Sequence, residues 1–418
     1  MSNDLPMNSF HDIRTLAMEL PRIDTHAHIG PNIADLKGLA TPLDQPVADD
    51  VARLRNLAEG AKTLYGIDPG PLLRADAPAE LWERARALRA DGPARAFEAA
   101  FDAERIITQI AFCGPKPERS RMLLEMAPRV RLLAYIDPLI FGANDTFCPD
   151  KPFGTFNYYD LLASKINPLD TFDDYLAGID AHIDAWRACG VVGMKTSAAY
   201  TIGLHFSDPT LDQACTAFAP KRDMTEADST IVMHAAFRHA LLACKRNNLP
   251  VVIHTGFQIW GHGDLRQSNP MLLHNLLIDP RYKDITFVLL HGGNPYVGET
   301  TYLARMFPNV VIDFTWISWM TRARFRLALR EWLEVVPHNK LCWGSDNGTP
   351  ETIAGNGRNT RGEIARVLVE MLEEGMIDEP AARAFLVHCY QKTPARIFGL
   401  PIPADSERAT AIPADEIP

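Results

Sequence analysis

His26 and His28 stand one residue apart in the stretch Pro21-Arg22-Ile23-Asp24-Thr25-His26-Ala27-His28. On an extended strand alternate side chains share a face, so the two imidazoles point the same way, with Asp24 behind them. Two imidazoles on one rigid strand supply half of a transition-metal site. A lone His-x-His pair is common by chance, and it gains meaning only if distant strands end in further donors. Lys195, His254, His291 and Asp346 meet that condition, because each lies where a short apolar run stops. Singly, each has a plain structural reading. A histidine at a strand end is often just hydrogen-bonded, Lys195 could reach solvent along its own stem, and Asp346 before Asn347-Gly348 could open a turn. Together, six donors at the ends of five strands point to a shared cation.

The elements that must position them follow from the hydrophobic pattern. Eight short apolar runs recur: Arg22–His28, Arg105–Phe112, Arg131–Ile136, Val191–Lys195, Val251–His254, Ile285–His291, Asn309–Phe314 and Leu341–Asp346. Helical stretches separate them, among them 9–20, Phe172–Cys189, Ile231–Asn247, Pro270–Leu277, Tyr296–Met306, Thr321–Val335 and about 361–374. Near-continuous apolar strands alternating with helices imply a parallel sheet covered on both faces. Eight such units predict an α/β fold of the (β/α)8 TIM-barrel type, in which chemistry sits at the C-terminal ends of the strands. The charged helical segment 32–100 is too long for a barrel loop and predicts a helical insert. The aromatic, Pro- and Gly-bearing segment 137–170 predicts a loop insert. The barrel with its inserts is expected to occupy 1–400, and the Pro- and Ala-rich segment 401–418 to be a flexible tail.

The chain has 418 residues, 47% of them hydrophobic and 22% charged, with a formal net charge of −10. That charge disfavours nucleic acid or an anionic membrane surface as partner, since both need a basic footprint. No apolar run approaches the length of a membrane span, and no basic region followed by an apolar run marks a signal peptide. Seven Cys without CxxC pairing read as reduced thiols, which predicts a cytoplasmic protein. A small-molecule substrate is expected, and self-association is plausible for a barrel of this size.

The order His-x-His, Lys, His, His, Asp along eight strands resembles that of the amidohydrolase superfamily. Further segments carry the likeness: Gly193–Tyr200 with Gly203-Leu204, His254-Thr255-Gly256-Phe257, Asp264-Leu265-Arg266 with Ser268-Asn269-Pro270, and Ser345-Asp346 with Pro350-Glu351. They are similar to the amidohydrolase-like half of certain plant and fungal fusion proteins whose other half resembles glutamine synthetase. The likeness runs from about residue 12 to 400 and involves only the amidohydrolase-like half, so no synthetase-like half is expected in this chain.

The resemblance implies a metal-dependent hydrolase acting on a C–N amide-type bond, with a γ-glutamyl or N-acyl amino-acid amide as an example of a carboxylate-bearing substrate. Zinc, or else manganese, would be held by His26, His28 and Asp346, with His254 on the same or a neighbouring ion. Such an ion activates water, and Asp346 is placed to take its proton. Lys195 leaves one ion or two open. As a carbamate it could bridge two metals, with His254 and His291 on the second; as a plain amine it and His291 would contact substrate or water. Arg266 could clamp a substrate carboxylate or merely pair with Asp264. Tyr200, Gln258, Trp260, His262, Trp316 and Trp319 follow the strands and could line the pocket. Two other readings stay open: a uronate-isomerase-like or decarboxylase-like enzyme on the same barrel, and a non-catalytic scaffold.

Overall fold

The computed structural model describes residues 7–30, 35–40, 51–112, 123, 125–126, 129–141, 170–219, 224–259 and 263–402. In chain order α1 (Met7–Glu19) leads into β1 (Arg22–Ala27). The predicted insert follows as α2 (Leu36–Ala40), α3 (Val51–Tyr65), α4 (Ala79–Ala90) and α5 (Pro93–Ala103). Then come β2 (Ile106–Phe112), β3 (Val130–Tyr135), α6 (Asp137–Phe141), α7 (Phe172–Ala188), β4 (Val191–Thr196), α8 (Leu211–Ala217), α9 (Glu226–Arg246) and β5 (Val251–Ile253). The chain continues through α10 (His274–Leu277), β6 (Phe287–Leu289), α11 (Val297–Met306), β7 (Val310–Asp313), α12 (Ile317–Met320), α13 (Arg322–Val335) and β8 (Leu341–Cys342). It ends in α14 (Pro350–Glu373), α15 (Glu379–Val387) and α16 (Thr393–Phe398). The eight strands form one sheet in sequence order, β1 to β8, a nearly closed (β/α)8 barrel. Most of the loop insert, 142–169, the tail from 403, and Trp260 and His262 lie outside the described residues.

Two compact units make up the chain: 1–111 with 116–131 and 313–418, and 112–115 with 132–312. In the first, β1 pairs with β2 in parallel, Arg22 opposite Ile106 and Asp24 opposite Gln109. Helices α2, α3 and α4 of the insert share an apolar cluster that includes Leu36, Leu57, Ala61, Leu81 and Trp82. In the second unit the parallel register is even at one level: Tyr135 opposite Lys195, Lys195 opposite Val252, Val252 opposite Val288, and Val288 opposite Val311. In this register His254 stands two residues, and His291 three, beyond the level of Lys195 toward the C-terminal ends of the strands.

Several strands stop earlier than their apolar runs predict. β1 ends at Ala27, β5 ends before His254, and β6 and β8 end before His291 and Asp346. The backbone of His291 has φ +66° and that of Asp346 φ +45°, left-handed values incompatible with a strand. Trp316, after β7, has φ +58°. Non-glycine residues in this region cost free energy and persist where the surroundings over-determine them, often at functional sites. α14 begins at Pro350 rather than near 361. Thr349 caps it through a capping box with Thr352, and proline is tolerated in a first turn.

Candidate active site

In the first unit β1 and the loop after β8 bring three donors together. The ring centroids of His26 and His28 lie 4.9 Å apart at 86°, on one side of the strand as alternation requires. Nε2 of His28 is 3.0 Å, and Nε2 of His26 3.5 Å, from Oδ1 of Asp346. Among the described residues, His26, His28 and Asp346 offer one donor atom each, all within 4.8 Å of one another. Donors bound at 2.0–2.2 Å to a tetrahedral ion lie about 3.4 Å apart, so these separations fit a divalent metal. His26 is fully buried and His28 is 37% exposed, which leaves the group open on the His28 side.

The backbone around this group is tied strand to strand. The N–H of Thr25 donates to the Trp343 carbonyl at 3.1 Å, that of Asp346 to the His26 carbonyl at 2.7 Å, and that of His28 to the Asn347 carbonyl at 3.2 Å. Behind the donors the Asp24 carboxylate accepts from the Ser345 N–H at 2.8 Å, the His26 N–H at 3.2 Å and the Gln109 amide at 2.6 Å. Complete burial still pushes its carboxyl up to about 6 against those hydrogen bonds.

Asp313 was not anticipated from sequence, because the apolar run continues to Phe314, whereas in the structure Asp313 is the last residue of β7. It is fully buried and accepts from the Thr25 hydroxyl and the Thr315 N–H. Burial pushes it up to about 7, and the charges of Asp24 and Asp346 add to the shift.

In the second unit Lys195 is buried on β4. Beside it, Asp137 at the end of β3 accepts from the Ser197 N–H at 2.7 Å. Burial pushes Asp137 up to about 6, opposed by hydrogen bonds from Thr196, Ser197 and Tyr135 and by the charge of Lys195. Asp137 lies one residue beyond the apolar run Arg131–Ile136, in the segment read from sequence as a loop insert.

His254 and His291 come together, Nε2 of His291 lying 2.9 Å from Nδ1 of His254. Nε2 of His254 is 2.9 Å from the Phe257 carbonyl, which can only accept. Nε2 therefore carries the hydrogen, and Nδ1 accepts from His291. For His254 to hold an ion, one of these two hydrogen bonds must open. The Tyr200 ring packs 4.4 Å from that of His254, and the Gln258 amide donates to the Ala199 carbonyl at 2.5 Å, so both predicted lining residues sit beside this pair. Arg266 is placed differently. Its guanidinium forms a bidentate pair with Asp264, at 2.7 to 3.0 Å, with the side chain 87% exposed. This is the structural ion pair, and a substrate clamp at Arg266 would require it to break. Trp316, in the first unit, is partly buried and begins α12.

Residues 177–347 match the family model described as Amidohydrolase, a segment that contains Lys195, His254, His291 and Asp346. Over 132 residues the chain is 36% identical to protein fluG of Emericella nidulans, an alignment covering 31% of this chain and 15% of the relative. The chain therefore spans a small part of that relative's length. In fold it is similar to a Lactobacillus casei protein assigned as a metal-dependent hydrolase, with TM-score 0.71 and 19% identity over 96% of this chain and 99% of the other. It is also similar to the uronate isomerase of Bacillus halodurans, with TM-score 0.69 and 14% identity over 97% and 100%. A glucuronate isomerase of Caulobacter crescentus gives TM-score 0.68 and 15% identity over 99% and 98%. The fold is that of a (β/α)8 barrel, and His26, His28 and Asp346 lie close enough together for one ion to touch all three. The resemblance read from the order of the donors agrees with the match of residues 177–347 to the amidohydrolase model.

Proposed function

We propose that this chain is a metal-dependent hydrolase that cleaves a C–N amide-type bond in a small molecule bearing a carboxylate, such as a γ-glutamyl or N-acyl amino-acid amide. The observation that carries the reading is the gathering of His26, His28 and Asp346 within 4.8 Å on two rigid stretches of backbone. A divalent ion held there, zinc in the first place and manganese as the alternative, supplies Lewis acidity toward a carbonyl and lowers the pKa of water. His26 and His28 present neutral nitrogens, and Asp24 orients the strand that carries them. Asp346 accepts the proton of the attacking water and returns it to the leaving nitrogen. The order of the donors in the sequence gives Lys195 and His291 catalytic roles as well, either contacting substrate or, with Lys195 carboxylated, serving a second ion together with His254. The amidohydrolase match supports the bond class.

The test is a substrate panel on metal-replete protein. Amine or ammonia release that is lost on chelation and restored by zinc or manganese supports the proposal. Interconversion of uronates, or carbon dioxide release, without amine release would move the reaction to the isomerase or decarboxylase reading. A purified chain with no bound metal, and no change of melting temperature on adding zinc or manganese, would favour a scaffold. Two ions per chain, with apo-enzyme rescued by bicarbonate, would mark Lys195 as a carbamate; one ion at full activity would exclude it.

A further inference from the structure

We propose that Arg89 and Tyr65, both from the helical insert, are positioning residues for Asp346 and act through Glu351. The inference rests on the reading of Asp346 as a metal ligand. Glu351 lies in the first turn of α14, five residues after Asp346, and is fully buried. Arg89 grips its carboxylate with both arms of the guanidinium, Nη1 to Oε1 at 2.7 Å and Nη2 to Oε2 at 3.0 Å. The Tyr65 hydroxyl donates to the same Oε1 at 2.5 Å. Burial, and then the Glu351 charge, raises the tendency of this phenol to keep its proton, so it remains a donor.

The insert also touches α14 through backbone. A Cβ on Gly60 of α3 would fall 1.8 Å from the Glu351 carbonyl oxygen, and one on Gly355 of α14 1.9 Å from the Asn56 carbonyl oxygen. Asn359 donates to the Asn56 side chain at 2.6 Å. From the helix the restraint passes to the ligand: the Asn356 amide donates to the Ser345 carbonyl at 2.7 Å, next to Asp346. Asp346 sits at φ +45°, a conformation that its surroundings must hold. A carboxylate buried at a helix start and matched by a planar fork is a geometric clamp more than a source of net stability.

Two measurements test this on the full chain: zinc affinity by chelator competition, and amide hydrogen exchange of the peptide covering 343–349 in metal-free protein. The β5 peptide serves as an internal control. Arg89→Met is expected to weaken zinc binding about 10-fold or more, as loss of an outer support does. It should also speed exchange at 343–349 by a similar factor while the β5 peptide stays protected. Arg89→Lys, which keeps the charge but not the fork, should fall between. If Arg89→Met unfolds, Tyr65→Phe removes only the hydroxyl and should show the same two changes at smaller size. A folded variant with wild-type exchange at 343–349 overturns the proposal while leaving the metal reading intact. Faster exchange in a protein that binds zinc in neither form upholds the clamp and overturns the metal reading.

Discussion

The backbone N–H of Asp346 donates to the carbonyl oxygen of His26 at 2.7 Å, so one candidate ligand is fixed by the main chain of another. A site built this way gains its accuracy from backbone on rigid elements rather than from long side chains finding one another. The predictions below separate that claim from a loose cluster of polar groups.

Asp24 should matter for metal binding without touching metal. It accepts three N–H groups, two from backbone beside the donors. Asp24→Asn keeps the volume but turns an amide NH2 against one of those donors. Zinc affinity should fall about 10- to 100-fold, as for other outer-shell partners, with the overall fold retained. Chelator competition reads the loss, and an unchanged affinity would remove Asp24 from the supporting shell.

His234 predicts acid sensitivity in the second unit. Its Nδ1 accepts from the Ser207 hydroxyl at 2.7 Å and the Ser207 N–H at 3.1 Å, which requires a lone pair. Burial, and then the charges of His205 and Arg238, lowers its pKa from 6.5 to about 4. The unfolded chain therefore takes up this proton first as pH falls. Stability from His234 is present above 6.5 and is lost between 6.5 and about 4, by up to about 3 kcal/mol. Urea unfolding across that range should show the decline, and His234→Gln should flatten it. An equal slope in the variant would assign the effect to other groups.

Gly60→Ala should destabilise the first unit. The new methyl carbon would fall 1.8 Å from the Glu351 carbonyl oxygen, and backbone cannot rotate aside as a flexible side chain can. A cost of about 1–3 kcal/mol is expected from overpacking of this kind. Ala58→Gly, on the same helix, lacks any clash and should cost only the ordinary helix penalty of about 1 kcal/mol plus one buried methyl. Denaturant midpoints of each variant against wild type give the two costs, and a Gly60→Ala midpoint at or above wild type would mean that the helices separate freely.

The legible part of the molecule was its periodic part. Eight apolar runs and the helices between them identified the barrel, because a buried parallel strand can hardly read otherwise. The donors at the run ends were legible for the same reason, since strand order carries them to one kind of position. Asp313 and Asp137 were not legible in that way, because Asp313 lies inside the apolar run Asn309–Phe314 and Asp137 just beyond the run Arg131–Ile136. The grip of Arg89 and Tyr65 on Glu351 was not legible at all. It joins residues 262 and 286 positions apart through side chains that a helical pattern would place on a solvated face. For Arg266 the sequence leaves a substrate clamp and a pair with Asp264 both open, and the structure shows the pair, with a carboxylate two positions away.

Ser345 and Asp24, joined by a hydrogen bond, are 321 residues apart in the chain. At least the 321 residues that separate them must leave the ribosome before the first strand can meet the last. Until then a nascent chain holds His26 and His28 without Asp346, and Asp24 without the N–H groups that satisfy it. Closing so long a loop is a slow, late event in folding. The proposed ion site should accordingly be complete only once Asp346 has joined the two histidines.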